Sequence, residues 1–85
     1  MTIYIFFFGT FGEVKKNDLN KKIGQRIIEL RKKKDWNQAD LGRAMGKDRQ
    51  AIEKIENGKV NATIYTLYEV AKALEVSLST IVDVK

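Results

Sequence analysis

The sequence predicts an all-α fold, a compact bundle of five helices that follows a short N-terminal extension. Apolar residues recur every three or four positions through most of the chain, as they do on the buried face of a helix. Residues that cap helix N-termini also recur, and only a few residues separate one capped segment from the next. With 85 residues the chain can form one small domain around a single core, which we place at residues 17–85, after an extension at residues 1–16.

The extension begins with the strongly apolar sequence MTIYIFFFGTFGEV. Its unbroken apolar run, Ile3–Phe8, follows no basic residue and is too short for a membrane span or a signal-peptide core, so no membrane association is expected. The β-branched and aromatic residues favour a short strand at Thr2–Phe8. A disordered start and a dimer contact through an exposed strand edge remain open alternatives.

Helix 1 is predicted over roughly Asp18–Lys34, with Asn17 or Asp18 as its N-cap. Its apolar positions recur at spacings of four, four and three: Leu19, Ile23, Ile27 and Leu30. Trp36 follows the helix, and we expect it to pack in the core with its indole N–H at the surface.

Helices 2 and 3 are both short and are separated by a turn. Asn37 is the predicted N-cap of helix 2, which runs over residues 38–45, and Gly46 suits the left-handed position after it. Asp48 is the predicted N-cap of helix 3, which runs to about Glu56 before the sequence NGK ends it.

Helices 4 and 5 repeat the same pattern of a hydroxyl cap followed by an apolar stripe. Thr63 caps helix 4, and Ser77 caps a short helix 5. The apolar stripe of helix 4 contains Ile64, Leu67, Ala71 and Leu74, with Val70 beside it. Helix 5 is expected to carry three residues into the core: Leu78, Ile81 and Val82.

Two short helices joined by a glycine-containing turn, here Gly46-Lys47-Asp48, describe a helix-turn-helix, in which the second helix enters the major groove of DNA. Ile52 and Ile55 are the only large apolar residues of helix 3 and must face inward. The outward arc then consists of polar residues: Arg49, Gln50, Glu53, Lys54 and Asn57. Arginine and lysine match guanine edges and glutamine matches adenine, so we expect base contacts from three of them: Arg49, Gln50 and Lys54.

The net charge of +5 favours an anionic partner, although charge alone does not distinguish nucleic acid from an acidic membrane; the helix-turn-helix is what favours double-stranded DNA. Residues 1–59 hold 14 basic and 8 acidic side chains, whereas residues 60–85 hold 2 and 3. The lysine-rich sequences KKNDLNKK and RKKKD are either solvated or further phosphate contacts. The chain lacks cysteine and histidine, so we expect no disulfide, metal or cofactor. No general base is placed beside a nucleophile, so an enzyme is not expected.

Residues Ile23–Val84 resemble the lambda-repressor-like DNA-binding domains of the Cro/cI (XRE) family. The resemblance is carried by the sequences IGQRIIELRKKKDWNQADLG, MGKDRQAIEKIENGK and TIYTLYEVAKALEVSLSTIV, which span nearly all five predicted helices. It implies the five-helix fold and DNA binding in general, without implying which DNA sequence is bound.

The resemblance also implies roles for single residues. Gln38 would contact the DNA backbone and support helix 3, and Asn57 and Lys59 would lie against phosphate; we group Lys47, in the turn, with them. Two further residues match a family ion pair that ties helix 1 to helix 3: Arg31 and Glu56. That pair is either a buried scaffold contact, whose breakage costs about 3–5 kcal/mol, or a solvated pair worth under about 1 kcal/mol.

Two acidic residues depart from the family pattern near the expected phosphates. Asp48 stands where many relatives have a small or hydroxyl residue, and we interpret it as the N-cap, with acceptance from a cytosine amine as the alternative. Glu53 reads cytosine, pairs with Arg49 or Lys54, or faces away from DNA.

The predicted function is sequence-specific DNA binding by a cytoplasmic transcriptional regulator, specifically a repressor. One such domain makes few base contacts, so a homodimer on a two-fold operator is expected. Its interface would be helix 5 with the IVDV tail, or the N-terminal strand. The alternative function is that of an antitoxin or protein-interaction adaptor that docks on a partner through the apolar N-terminal strand.

Overall fold

Five helices make up residues 16–84, the part of the chain that the structure, a computed structural model, describes. They are α1 (Lys16–Lys33), α2 (Gln38–Met45), α3 (Arg49–Glu56), α4 (Ile64–Leu74) and α5 (Leu78–Val82). The all-α fold class is thereby confirmed. The strand predicted at residues 2–8, and with it the strand-mediated dimer and the antitoxin or adaptor hypothesis, lies outside the described residues.

Side-chain caps fix where four of these helices begin. Asn37 and Asp40 form a reciprocal capping box at α2, in which each side chain accepts the other residue's backbone N–H at 2.8 Å. Asp48 accepts the Ala51 N–H at 2.8 Å at the start of α3. Thr63 and Ser77 cap α4 and α5 in the same way. Because each cap bonds a donor only three residues away, these starts are set locally.

Helix α1 begins at Lys16, earlier than predicted. The prediction that Asn17 or Asp18 caps it is therefore wrong, because both residues lie within its first turn. An acidic residue such as Asp18 is still favourable there, since it faces the positive end of the helix dipole. The helix ends at Lys33, and Asp35 follows in the left-handed conformation with φ of 57°.

The core lies where all five helices meet. Its most deeply buried apolar side chains come from each helix in turn: Ile27, Leu41, Ile52, Val70 and Ile81. Trp36 packs against this core while half-buried, and Lys34 Nζ lies 4.9 Å from the centre of its ring. None of the described helices is both long enough and apolar enough to cross a membrane.

Three residues that were predicted on buried stripes are exposed instead. Leu19 is 42% exposed, Ile64 67% and Val82 40%. Each lies in the first or last turn of its helix, and the more deeply buried members of the same stripes lie further from that end of the helix. Periodicity therefore predicted the phase of these stripes but not where the packing partner ends.

Two glycines allow α1 and α2 to pack closely against α3 and against the turn that precedes it. A Cβ on Gly24 of α1 would overlap the carbonyl oxygen of Glu56, at the end of α3. A Cβ on Gly42 of α2 would lie 2.7 Å from the carbonyl oxygen of Lys47, in the turn. Helix α3 is thus fixed at its C-terminal end by α1, and the turn before it is fixed by α2.

Candidate nucleic-acid interface

Helix α3 presents a polar face to solvent because its two isoleucines anchor the opposite face. Ile52 and Ile55 are 1% and 8% exposed. Arg49, Gln50 and Lys54, the three predicted base-contact residues, are all exposed. The structure therefore brings the three onto the outer side of one helix, as the spacing of the isoleucines predicts.

A groove lies between α3 and the segment that leads into α4. Lys47, Gln50 and Lys54 line it, together with Asn61 and Thr63. Side chains from the turn, the polar helix and the following loop thus border one concave surface. Lys47 also lies 3.9 Å from a carboxylate oxygen of Glu69 on α4, the fourth helix.

A buried ion pair supports this helix from inside. Arg31 and Glu56 are only 7% and 1% exposed. The Arg31 guanidinium donates to both Glu56 oxygens, from Nε at 2.6 Å and from Nη2 at 3.0 Å, and its Nη1 donates to the Trp36 carbonyl at 2.8 Å. Of the two alternatives that the sequence left open, this geometry corresponds to the buried scaffold contact.

Gln38 connects that ion pair to the polar face of α3. Its Nε2 donates to Glu56 Oε1 at 3.0 Å, and its Oε1 accepts from Arg49 Nη1 at 3.1 Å. Only one orientation of the amide satisfies both contacts, because the carboxylate needs a donor and the guanidinium needs an acceptor. A continuous set of hydrogen bonds therefore runs from Arg31, in the interior, to exposed Arg49.

Glu53 has partners other than those predicted from the sequence. Its Oε2 accepts from Asn57 Nδ2 at 2.6 Å and from Lys59 Nζ at 2.8 Å. The hydrogen bond from Lys59, and then that from Asn57, holds the pKa of the Glu53 carboxyl below its usual value of 4.5. Arg49 adds a smaller attraction, but neither it nor Lys54 hydrogen-bonds the carboxylate among the described residues.

The four residues predicted to contact the DNA backbone are all paired with other side chains of the protein. Each already has a polar partner within the described chain: Gln38 has Arg49 and Glu56, Lys47 has Glu69, and Asn57 and Lys59 have Glu53. The i, i+4 spacing of Glu53 and Asn57 is the sequence signal that could have predicted one of these pairs.

Among the described residues, no cluster of carboxylates suits a metal ion.

A short helix, a tight glycine turn and a second short helix with an exposed polar face define a helix-turn-helix protein. A family model for the helix-turn-helix, HTH_3, matches residues 27–81 of the chain. The chain belongs to this family, and its resemblance to the Cro/cI (XRE) type is confirmed.

The relatives include an HTH-type transcriptional regulator and a restriction-modification controller protein. The chain is 37% identical over 60 residues to the uncharacterized HTH-type transcriptional regulator y4dJ of Sinorhizobium fredii, covering 71% of this chain and 78% of that protein. Among solved structures, it resembles the restriction-modification controller protein C.AhdI from Aeromonas hydrophila, with a TM-score of 0.72 and 32% identity over 78% of this chain and 94% of that one. These matches confirm a transcriptional regulator and not an enzyme.

A solved structure with lower sequence identity has the same fold. A hypothetical transcription factor from Neisseria, NHTF, superposes with a TM-score of 0.76 at 24% identity, covering 82% of this chain and 80% of that chain. At that identity the likeness concerns the fold alone.

Proposed function

We propose that the protein binds double-stranded DNA sequence-specifically, with α3 in the major groove, and represses transcription in the cytoplasm as a homodimer on a two-fold operator. The observation that carries the proposal is the outer face of α3. That face exposes Arg49, Gln50 and Lys54, while Ile52 and Ile55 hold the helix to the core. A helix of eight residues with this division suits a base-reading element better than a packing element.

Three residues are proposed to contact bases. Arg49 uses one guanidinium N–H on Gln38, which leaves further donors for the O6 and N7 acceptors of guanine. Gln50 lies beside Arg49 at the leading end of α3 and matches adenine, and Lys54 lies one turn further along. Each well-formed contact is expected to contribute about 1–3 kcal/mol of discrimination between bases.

Four residues are proposed to contact the DNA backbone and fix the orientation of α3: Gln38, Lys47, Asn57 and Lys59. Lys47 lies in the turn before α3, and Asn57 and Lys59 lie just after it, so the set flanks both ends of the reading helix. Contacts of this kind position a protein on the duplex without reading its sequence.

Dimerisation is proposed through α5 and the residues that follow it. Val82, an apolar residue at the end of α5, is 40% exposed, which supports this surface. Two copies would place their α3 helices in successive major grooves, about 34–36 Å apart. Repression follows if the occupied operator overlaps a promoter, because the bound dimer then excludes the polymerase.

The test of DNA binding is selection from a random duplex library, followed by fluorescence anisotropy on the selected duplex at graded salt. Arg49→Ala and Lys54→Ala should each weaken binding about 5-fold to 150-fold and relax the selected sequence at the position they contact. Lys72→Ala is the matched control for the lysine variant, since it removes the same charge from the exposed last turn of α4. A failure to enrich any sequence, together with binding that does not depend on salt, would contradict the proposal.

The test of the assembly uses the same duplex. Sedimentation should give two protein chains per selected duplex, and Val82→Lys should reduce this to one chain with weaker binding. A promoter reporter carrying the duplex should lose expression when the protein is present. One chain per duplex for the wild type, or increased reporter expression, would contradict the dimer or the repressor respectively.

A further inference from the structure

Glu53, in the second half of the proposed reading helix, presents a carboxylate to two residues that follow this helix, Asn57 and Lys59. A single oxygen, Oε2, accepts from both Asn57 Nδ2 and Lys59 Nζ, at 2.6 and 2.8 Å. These are the two residues proposed to contact phosphate after α3. A carboxylate and a phosphate attract the same ammonium charge, so Lys59 gains less from a phosphate while Glu53 neutralises it, even though its other N–H donors stay available.

The backbone holds Lys59 close to Glu53. Gly58 has φ of 69° and turns the chain back after α3, and the Lys59 N–H donates to the Lys54 carbonyl at 2.9 Å. The turn is packed against α1, because a Cβ on Gly58 would lie 2.7 Å from the Cγ of Lys21. The proximity of Lys59 to Glu53 is therefore set by a packed turn and not only by two flexible side chains.

The pair differs from an ordinary solvated ion pair in a second respect. The Glu53 side chain is only 28% exposed, whereas that of Lys59 is 59% exposed. Exposed pairs contribute little because both side chains lose freedom for a screened attraction. Here the Glu53 side chain is partly covered along α3 and has two donors already in place, so it loses less freedom when the hydrogen bonds form.

We propose that Glu53 acts as an internal substitute for a DNA phosphate, which competes with the duplex for Asn57 and Lys59 and so limits the sequence-independent part of DNA affinity. This inference rests on the proposed function. In the free protein both side chains bond the carboxylate, and Asn57 Nδ2 also donates to the Glu53 backbone carbonyl at 3.0 Å, so a phosphate must compete with contacts that are already made. The wild-type chain therefore gains less from Lys59 than a chain without the carboxylate, on any duplex.

The test compares wild type, Glu53→Gln and Glu53→Gln with Lys59→Gln, by anisotropy on two labelled probes, the selected duplex and a mixed-sequence duplex. Glu29→Gln is the matched control, because it makes the same substitution in an ion pair, with Arg26, on α1. Thermal unfolding of each variant verifies that it is folded at the temperature of the titrations.

The Glu53→Gln variant should bind both probes more tightly than wild type. Its plot of log affinity against log salt should be steeper by about 0.9, as for one more neutralised phosphate. Its advantage should therefore shrink about 3.5-fold between about 50 and 200 mM salt. Adding Lys59→Gln should return the slope to near the wild-type value, and Glu29→Gln should leave the slope unchanged.

Two results would overturn the inference while leaving DNA binding intact. One is a Glu53→Gln slope equal to that of the Glu29→Gln control. The other is weaker binding of Glu53→Gln to the selected duplex alone, which would assign Glu53 to reading a cytosine. If neither wild type nor Glu53→Gln binds either probe at any salt, the proposed function itself fails, and the inference fails with it.

Discussion

Replacing Glu56 with glutamine removes the charge of one partner in the buried ion pair and leaves the other, Arg31, charged. The substitution also puts an amide group where the structure has a carboxylate oxygen. Glu56 accepts from Arg31 Nε and Nη2 and from Gln38 Nε2, and glutamine can offer only one oxygen to these three donors. At least one donor must then face another donor.

The expected loss is large because the site is closed to water. Glu56 is 1% exposed and Arg31 7%, so solvent cannot replace the missing contacts. Removing one partner of a buried pair costs about 3–5 kcal/mol. In a domain of this size each 1 kcal/mol lowers the melting temperature by roughly 4–8 °C, so a decrease of at least about 12 °C is expected.

Urea unfolding followed by circular dichroism measures the loss directly. Glu29→Gln is the control, because Glu29 is 63% exposed, lies 3.4 Å from Arg26, and should lose under about 1 kcal/mol. Arg31→Met combined with Glu56→Leu should cost less than the sum of the two single substitutions, since no unpaired charge remains. If Glu56→Gln loses no more than Glu29→Gln, the pair is not a buried scaffold contact and the reasoning is refuted.

Three further predictions concern the turns and the end of α3. Gly42→Ala should lose about 1–3 kcal/mol of unfolding free energy in urea, despite the helix propensity of alanine, because the new Cβ would lie 2.7 Å from the Lys47 carbonyl oxygen; no loss would contradict this. Asp35→Gly should raise the free energy of unfolding by about 0.5–1 kcal/mol in the same assay. The φ of 57° strains a residue with a side chain, and relief of this strain should outweigh the greater chain entropy of glycine in the unfolded state; a loss of stability would contradict this. The carboxyl of Glu53 should titrate below 4.5 by NMR, because the hydrogen bond from Lys59 lowers its pKa. Glu53 should therefore stabilise the folded state at pH values above the pKa of the unfolded chain, and this contribution should disappear as the pH falls through the pKa of the folded state. Lys59→Gln should raise the pKa of Glu53, and an unchanged pKa would show that the pair is absent in solution.

The sequence predicted the helix-turn-helix closely because its signals are local. The bounds of α2 and α3 match the structure, since Asn37 and Asp48 each bond a backbone N–H three residues on. The start of α1 was less well predicted, because several polar residues precede its first apolar position and any of them could have served as a cap.

Part of the candidate site could also be predicted from the sequence. The inward positions of Ile52 and Ile55 fix the rotation of α3, so the exposure of Arg49, Gln50 and Lys54 follows from helical geometry. The contact between Glu53 and Lys59 could not be predicted from the sequence, because Lys59 lies beyond the left-handed turn at Gly58, where helical periodicity no longer applies. The family resemblance implied that Gln38 supports helix 3, but nothing in the sequence indicated that its partner there is Glu56, 18 residues away.

The sequence by itself determined the fold class, the order of the helices and which face of α3 is polar. These follow from repeat spacing and caps, whose physical range is a few residues. Only the tertiary structure decided which apolar residues at the helix ends are exposed, and how closely Gly24 and Gly42 let α1 and α2 approach α3 and its turn. It also decided that a set of hydrogen bonds connects Arg31 to Arg49. Such contacts join residues far apart in the chain, and close packing of helices against one another, which no local pattern encodes, brings them together.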